Sequence, residues 1–323
     1  MSVALMSDDA YLDSLREAHR TSFSTVFACT LRRDATDVVA ADSLGRLRTW
    51  PLKTTAAYGG GGGSESRIVA QAAIYSLDGL DSSGLVAGCA DGSVVVVDEE
   101  ASLATRSTMH VPAEANGVSA QRNVVHVACG DGNVYVCDLI TAQRVATMRG
   151  HGAGAVYCVR AFGEHMAASG ADDGTCRVWD RRTGGEVMHF AVGALVSCVD
   201  VDSSGSWLVF GDGAQSLALH RINASPKTPI AQIAHMGAVP NAVVFPSNSA
   251  HVGFVTASSD GSVQAWRLDG TMRARLPQRS VRDSALFTLA AMSNGTESPF
   301  IVVAGRGSSI TAYVDDSIAF KLS

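Results

Sequence analysis

The chain has 323 residues, 46% of them hydrophobic and 17% charged, with a formal net charge of −6. That length exceeds one typical domain of about 100–150 residues, and the apolar content supports a sizeable core and excludes wholesale disorder. The acidic balance argues against a protein whose main work is gripping a phosphate backbone. None of the lysines Lys53, Lys227 and Lys321 follows a glycine, which rules out a G-K-[ST] phosphate loop.

The first 19 residues carry neither a basic leader nor an apolar run, so a secretory signal is not expected and the chain is expected to stay in a reducing compartment. Ser7 is placed to cap a predicted helix over Asp8–Ala18, with Leu12, Leu15 and His19 on one side. Residues 1–20 are therefore read as an extension that packs on the edge of the fold or docks a partner through Leu12 and Leu15. The longest apolar runs, such as Gly84–Ala90 and Val94–Val97, fall far short of the roughly 20 residues a membrane-spanning helix needs, so no membrane partner is expected.

From residue 21 onward a unit recurs: a small-residue strand, a turn with glycine, then an alternating strand with a bulky residue near its end. The clearest copies are ASGADDGTCRVWD (168–180) and TASSDGSVQAWRL (256–268). Aligning all copies on the bulky position gives Trp50, Val97, Cys137, Trp179, Leu219, Trp266 and Tyr313, a period of about 44 residues that matches a four-stranded propeller blade. The expected fold is all-β, a seven-bladed β-propeller over residues 21–323 with a short N-terminal helix.

In the fourth unit the predicted strands are Val156–Phe162, Met166–Ser169, Cys176–Asp180 and Glu186–Ala191. Phe23–Leu31 reads as the innermost strand of the first blade and Ser317–Leu322 as the outermost strand of the seventh. The ring is then expected to close by face packing. Gly59–Gly63 begins a Gly-rich stretch, 59–66, expected to be a flexible loop inside the first blade.

The seven cysteines include no C-x-x-C pair and lie in apolar, strand-like contexts, which suits buried free thiols. The histidines are scattered, with no H-E-x-x-H and no close acidic cluster, so no metal, cofactor or small-molecule substrate is expected. His151, Ser169 and Asp173 invite comparison with a hydrolase. No G-x-S-x-G elbow is present, however, and a similar group of Thr256, Asp260 and Trp266, with His235 upstream, recurs in the sixth unit. No catalytic residue is nominated.

The spacing of these residues resembles the WD40 repeat family, in which His, Ser or Thr, Asp and Trp form a hydrogen-bonded tetrad inside a blade. The resemblance implies two structural tetrads, His151–Ser169–Asp173–Trp179 and His235–Thr256–Asp260–Trp266. The stretches MRGHGAGAVYCVRAF (148–162), SGADDGTCRVWDRRTGGEV (169–187), SWLVFGDG (206–213), VQAWRLDGTMRARLP (263–277) and AFKLS (319–323) are also similar to the WD40 subunits of the THO complex. That likeness implies a nuclear, non-catalytic scaffold that docks on coiled-coil and other THO subunits, supports mRNA processing, packaging and export, and meets RNA indirectly.

Two features point elsewhere. Trp179-Asp180-Arg181-Arg182 matches the W-D-x-R box of substrate receptors for cullin-4 ubiquitin ligases, with Arg182 beside Asp180 as the adaptor contact. Arg273, Arg275, Arg279 and Arg282 concentrate positive charge in an otherwise acidic chain, suited to an acidic partner or an RNA backbone, or to a solvated outer strand and loop. A different WD40 assembly scaffold is the remaining alternative.

Overall fold

A computed structural model describes residues 24–32, 37–51, 65–80, 84–98, 103–152, 154–223, 228–234, 236–246, 253–277, 285–292, 299–306, 310–314 and 317–322. They form seven four-stranded sheets, each built from consecutive antiparallel strands. The first blade is β1 (Val26–Leu31), β2 (Asp37–Asp42), β3 (Arg46–Pro51) and β4 (Glu65–Ile68). The second is β5 (Ile74–Gly79), β6 (Gly84–Cys89), β7 (Ser93–Asp98) and β8 (Ala104–His110). The third is β9 (Ala115–Gln121), β10 (Val124–Cys129), β11 (Asn133–Asp138) and β12 (Gln143–Arg149). The fourth is β13 (Val156–Phe162), β14 (Met166–Ala171), β15 (Thr175–Asp180) and β16 (Gly185–Ala191). The fifth is β17 (Val196–Val201), β18 (Trp207–Asp212), β19 (Leu217–Arg221) and β20 (Ala231–Ile233). The sixth is β21 (Pro240–Val244), β22 (Phe254–Ser258), β23 (Val263–Trp266) and β24 (Met272–Leu276), and the seventh β25 (Leu286–Met292), β26 (Phe300–Gly305), β27 (Ile310–Val314) and β28 (Ser317–Leu322).

The described residues are all-β, and the predicted helix over Asp8–Ala18 lies outside them. One expectation needs correcting. The Gly-rich stretch was expected to run as a loop to residue 66, but Glu65 and Ser66 pair with Thr49 and Arg48 and belong to β4. Their amides serve the ladder of the first blade, which needs an outer strand, and this overrides the polar composition.

Second strands are covered on both faces by neighbouring blades, so β6 and β10 are buried along their whole lengths; β6 reads as a continuous run of small and apolar residues, and β10 does so around a buried His126. The bulky residue of each third strand, from Trp50 to Tyr313, is buried between blades. Tight turns join second and third strands. In the fourth blade Gly174 holds φ at 73°, and in the first blade Gly45 takes φ 74° with its α-carbon so close to Ala70 that a Cβ would stand 2.2 Å from the carbonyl oxygen.

The ring closes by face packing. Val26, Val38, Ala40 and Trp50 of the first blade share one cluster with Val302, Ala304, Ile310 and Ala312 of the seventh. All seven cysteines are free, and six are buried; Cys158 is half-buried on an inner strand.

Outer strands carry an irregularity that blunts their free edges. In β8, β12, β16 and β24 the register slips by one residue, leaving Arg106, Val145, Val187 and Arg273 as the extra residue of a bulge. Bulges and edge charges of this kind oppose pairing with another sheet.

Candidate functional site

The fourth blade contains a polar relay that runs from core to surface. The Trp179 indole N–H donates to Ser169 Oγ at 2.8 Å, and the Ser169 hydroxyl donates to His151 Nε2 at 2.7 Å. His151 Nδ1 then donates to the Asp173 carboxylate at 3.1 and 3.2 Å. This order fixes the imidazole as the neutral Nδ1–H tautomer, because Nε2 must accept from Ser169. Burial lowers the His151 pKa, with Asp173 pulling the other way.

Burial alone would raise the Asp173 pKa. The Thr175 hydroxyl at 2.7 Å, the Thr175 amide at 3.0 Å and His151 together hold it below its ordinary value. Arg177 extends the network, reaching Asp173 at 3.4 Å and bonding Glu186, which accepts from His189 Nδ1 at 2.6 Å. Sequence reasoning missed Thr175, Arg177 and Glu186, although all flank the predicted quartet on β15 and β16. Ser169 is fully buried with both roles of its hydroxyl in use, so no substrate carbonyl can reach Oγ. The group can brace a blade and cannot present a nucleophile.

In the sixth blade the Trp266 indole donates to Thr256 Oγ1 at 3.0 Å. Asp260 is exposed on the turn, accepts the Ser262 amide at 2.9 Å and stands 3.8 Å from Arg275. His235 lies outside the described residues, so of the expected quartet this blade shows the Thr256–Trp266 link.

The candidate partner residues divide. Asp180 and Arg182 pair with each other: Arg182 Nη2 meets one carboxylate oxygen at 2.6 Å, while its Nε and its own amide each meet the other at 3.0 Å. The Arg182 side chain holds the Asp180 carboxyl at a pKa of about 2. Arg273 is the bulge residue of β24, and Arg275 is exposed two residues on. Arg279, Arg282, Leu12 and Leu15 lie outside the described residues.

The sequence did not reveal how the channel is built. Every inner strand has a bulge at its second residue, and the seven extra residues meet at one mouth of the central channel. Phe27, Tyr75, Tyr157 and Phe287 are aromatic. The other three point sideways: Asn116 donates to Val156 O at 3.0 Å, Ser197 to Pro240 O at 2.5 Å and Asn241 to Leu286 O at 2.7 Å, each reaching the following blade.

Farther along, side chains accept amides from the next blade. Ser76 takes the Val118 N–H at 3.0 Å, Asp78 that of Ala120 at 2.9 Å, and Asp200 that of Phe245 at 2.6 Å. Arg160 lines the opposite end, a cavity of about 510 Å³, and its Nε meets Asp200 at 2.8 Å. Burial raises the pKa of both Asp78 and Asp200, and Arg160 opposes the rise. The arrangement is a polar belt that fastens blade to blade. The signal that could have found it is the recurrence of these positions when inner strands are aligned unit by unit.

Comparison with known proteins agrees with this architecture. The WD40 family profile (WD domain, G-beta repeat) matches residues 142–180, which hold β12 through β15 of the tetrad region, so the chain carries a WD repeat there. The chain is 27% identical to THO complex subunit 6 of Homo sapiens over 197 residues, 54% of this chain and 52% of that protein. It is 26% identical to a THO complex subunit 6 homolog of Danio rerio over 62% of this chain and 61% of the homolog. Against THO complex subunit 6 of Arabidopsis thaliana the identity is 33%, over 34% of this chain and 31% of the relative. The chain thus spans about half the length of the curated relatives it matches.

Proposed function

We propose that this propeller is a non-catalytic protein-interaction scaffold and a subunit of a nuclear THO/TREX-type assembly that supports mRNA processing, packaging and export. One observation carries the reading: the likeness to THO complex subunit 6 of vertebrates and a plant, on a ring whose Ser169–His151–Asp173 group is sealed in a blade. A rigid disc with loops on two faces holds several partners at fixed separations, and its coiled-coil and other THO partners would dock on those loops. With a net charge of −6, contact with RNA on this reading passes through the partners.

The test is affinity purification of the tagged full chain from nuclear extract. Co-elution of the THO core supports the reading. Its absence, with a cullin-4 adaptor present instead and lost on Arg182→Ala, overturns it in favour of a ligase receptor.

A further inference from the structure

Two tiers of residues surround the channel mouth, and their chemistry differs. The inner tier is the set of bulge residues. Phe27 meets Tyr75 edge-on with ring centroids 5.4 Å apart and Phe287 at 5.6 Å, making an aromatic arc over the seventh, first and second blades. Tyr157 of the fourth blade stands across the opening, 38% exposed, and Asn116 of the third blade lies between the two tyrosines; the cavity they line is about 390 Å³. Asn116 Nδ2 donates to Val156 O at 3.0 Å, which fixes the amide and leaves its Oδ1 as an acceptor. Among the described residues, no charged side chain lines this cavity.

The outer tier carries the charge. In every blade the residue that follows the second strand donates its amide to the carbonyl two residues before the bulge, as Gly130 does to Glu114 O and Asp172 to Ala155 O, both at 2.9 Å. These bonds set both partners around the mouth. The charged residues among the seven pairs are Glu114 and Asp172 on the third and fourth blades and Arg306 on the seventh, all exposed. Asp172 acts on the cavity wall itself: after burial, its carboxylate is the second cause that raises the Tyr157 phenol pKa. The mouth therefore has a negative side at Asn116 and Tyr157, in a chain of net charge −6, and a positive side by Phe287.

Aromatic faces attract a cation through their quadrupole, and a cation that bears N–H groups also needs acceptors. An apolar occupant would leave the Asn116 acceptor and both carboxylates unused. Between the two basic side chains, a planar and weakly hydrated guanidinium stacks on a ring better than a compact, strongly hydrated ammonium. We propose that the side of the mouth formed by Tyr75, Asn116 and Tyr157 takes an arginine side chain from a partner protein. Its guanidinium lies against the tyrosine rings and donates to Asn116 Oδ1, while Glu114 and Asp172 supply the opposite charge. Arg306 repels the same cation from the Phe287 side. The inference rests on the reading of the ring as a protein-interaction scaffold and on no particular assembly, so its failure with a purified chain leaves the co-elution test of THO membership standing.

The experiment is an NMR titration of the full chain with the blocked peptide acetyl-Gly-Ser-Arg-Ser-Gly-amide and with versions carrying lysine, citrulline or leucine in place of the arginine. Saturable shifts are expected at the amides of Tyr75, Asn116 and Tyr157, with Kd in the millimolar range or tighter for the arginine peptide. Citrulline keeps the shape and loses the charge, and is expected to weaken binding roughly fivefold or more. Asp172→Asn, an exposed change that keeps the side-chain shape, is expected to weaken the arginine peptide roughly threefold at low salt, and the difference to fade near 0.5 M salt. Tyr157→Ala is expected to weaken it at any salt. Equal affinity of the arginine and citrulline peptides overturns the proposal, as does tighter binding of the leucine or lysine peptide. Shifts confined to other parts of the ring, or no saturation up to about 10 mM peptide, overturn it as well.

Discussion

Thr288 Oγ1 on the seventh blade accepts the Cys29 amide of the first blade at 3.0 Å, joining residues 259 positions apart. The bond repeats the one between Ser76 and Val118 at the junction of the second and third blades. The seam is thus fastened like an interior junction, except that no covalent connection backs it up. Thr288→Val removes the acceptor and leaves a buried N–H without its partner, at a cost of about 1–3 kcal/mol. Hydrogen exchange is expected to quicken in β1 and β25 through opening at the seam, while Ser76→Ala, where the chain is continuous, quickens Val118 alone. Equal and global effects from both variants would refute a seam-specific role.

Among the described residues the two tryptophan-centred relays differ in how much depends on one hydroxyl. Ser169 serves both the Trp179 indole and His151 Nε2, so Ser169→Ala leaves two buried groups unmet and is expected to cost about 3 kcal/mol. Thr256→Val strands the Trp266 indole and removes a long 3.5 Å bond to the Gln264 carbonyl, which the strand ladder already serves, and is expected to cost about 1–2 kcal/mol. Urea midpoints of the full chain give the comparison. A Thr256 variant at least as damaging as the Ser169 variant contradicts this account of the fourth blade.

Two buried histidines set the acid limb of stability. Burial, with Arg181 nearby, pushes the His126 pKa down to about 4, and burial between Phe190 and Phe210 does the same for His220. Each is lower than in the unfolded chain, where the value is about 6.5. The unfolded state therefore binds more protons between these limits, and stability rises with pH across that window. Each histidine is expected to remove about 2 kcal/mol between pH 7 and pH 5. Asp78 and Asp200, raised by burial, titrate with the opposite sign, so the test compares the slope of stability against pH in His126→Leu and His220→Leu with that of the parent. An unchanged slope in both variants would sink the assignment.

What could be read from the sequence follows from how many residues report each feature. The blade period was legible because Trp50, Trp179 and Trp266 mark third strands that two neighbouring blades bury, and a bulky residue between small ones stands out there. The relay of the fourth blade was legible because its members are chemically distinctive types. The aromatic mouth was not. Phe27, Tyr75, Asn116, Tyr157, Ser197, Asn241 and Phe287 share a place in the ring but no residue type, since a bulge requires only an outward side chain there. Arg160 and Asp200 were equally silent, because inner strands show the same alternation whether a polar residue faces channel or solvent. The Gly-rich stretch misled at its end, where backbone pairing in β4 outweighed composition.

Arg182 separates a local ion pair from a partner contact. Its side chain is 64% exposed, yet Nε and Nη2 both face Asp180. In Arg182→Ala the Asp180 carboxyl is expected to climb from about 2 towards its ordinary 3.8, read by carboxyl NMR titration. A carboxyl whose folded value is depressed adds stability that is present above the unfolded value and lost as pH falls towards the folded one. The variant should therefore show a flatter dependence of stability on pH between about 2 and 4, and whatever the pair contributes is lost at neutral pH, a loss that solvent screening keeps small for an exposed pair. Weakened co-elution of a partner with no larger change in neutral melting would then assign the exposed face of Arg182 to that partner. If binding is unaffected and only the titration moves, the pair serves the turn alone.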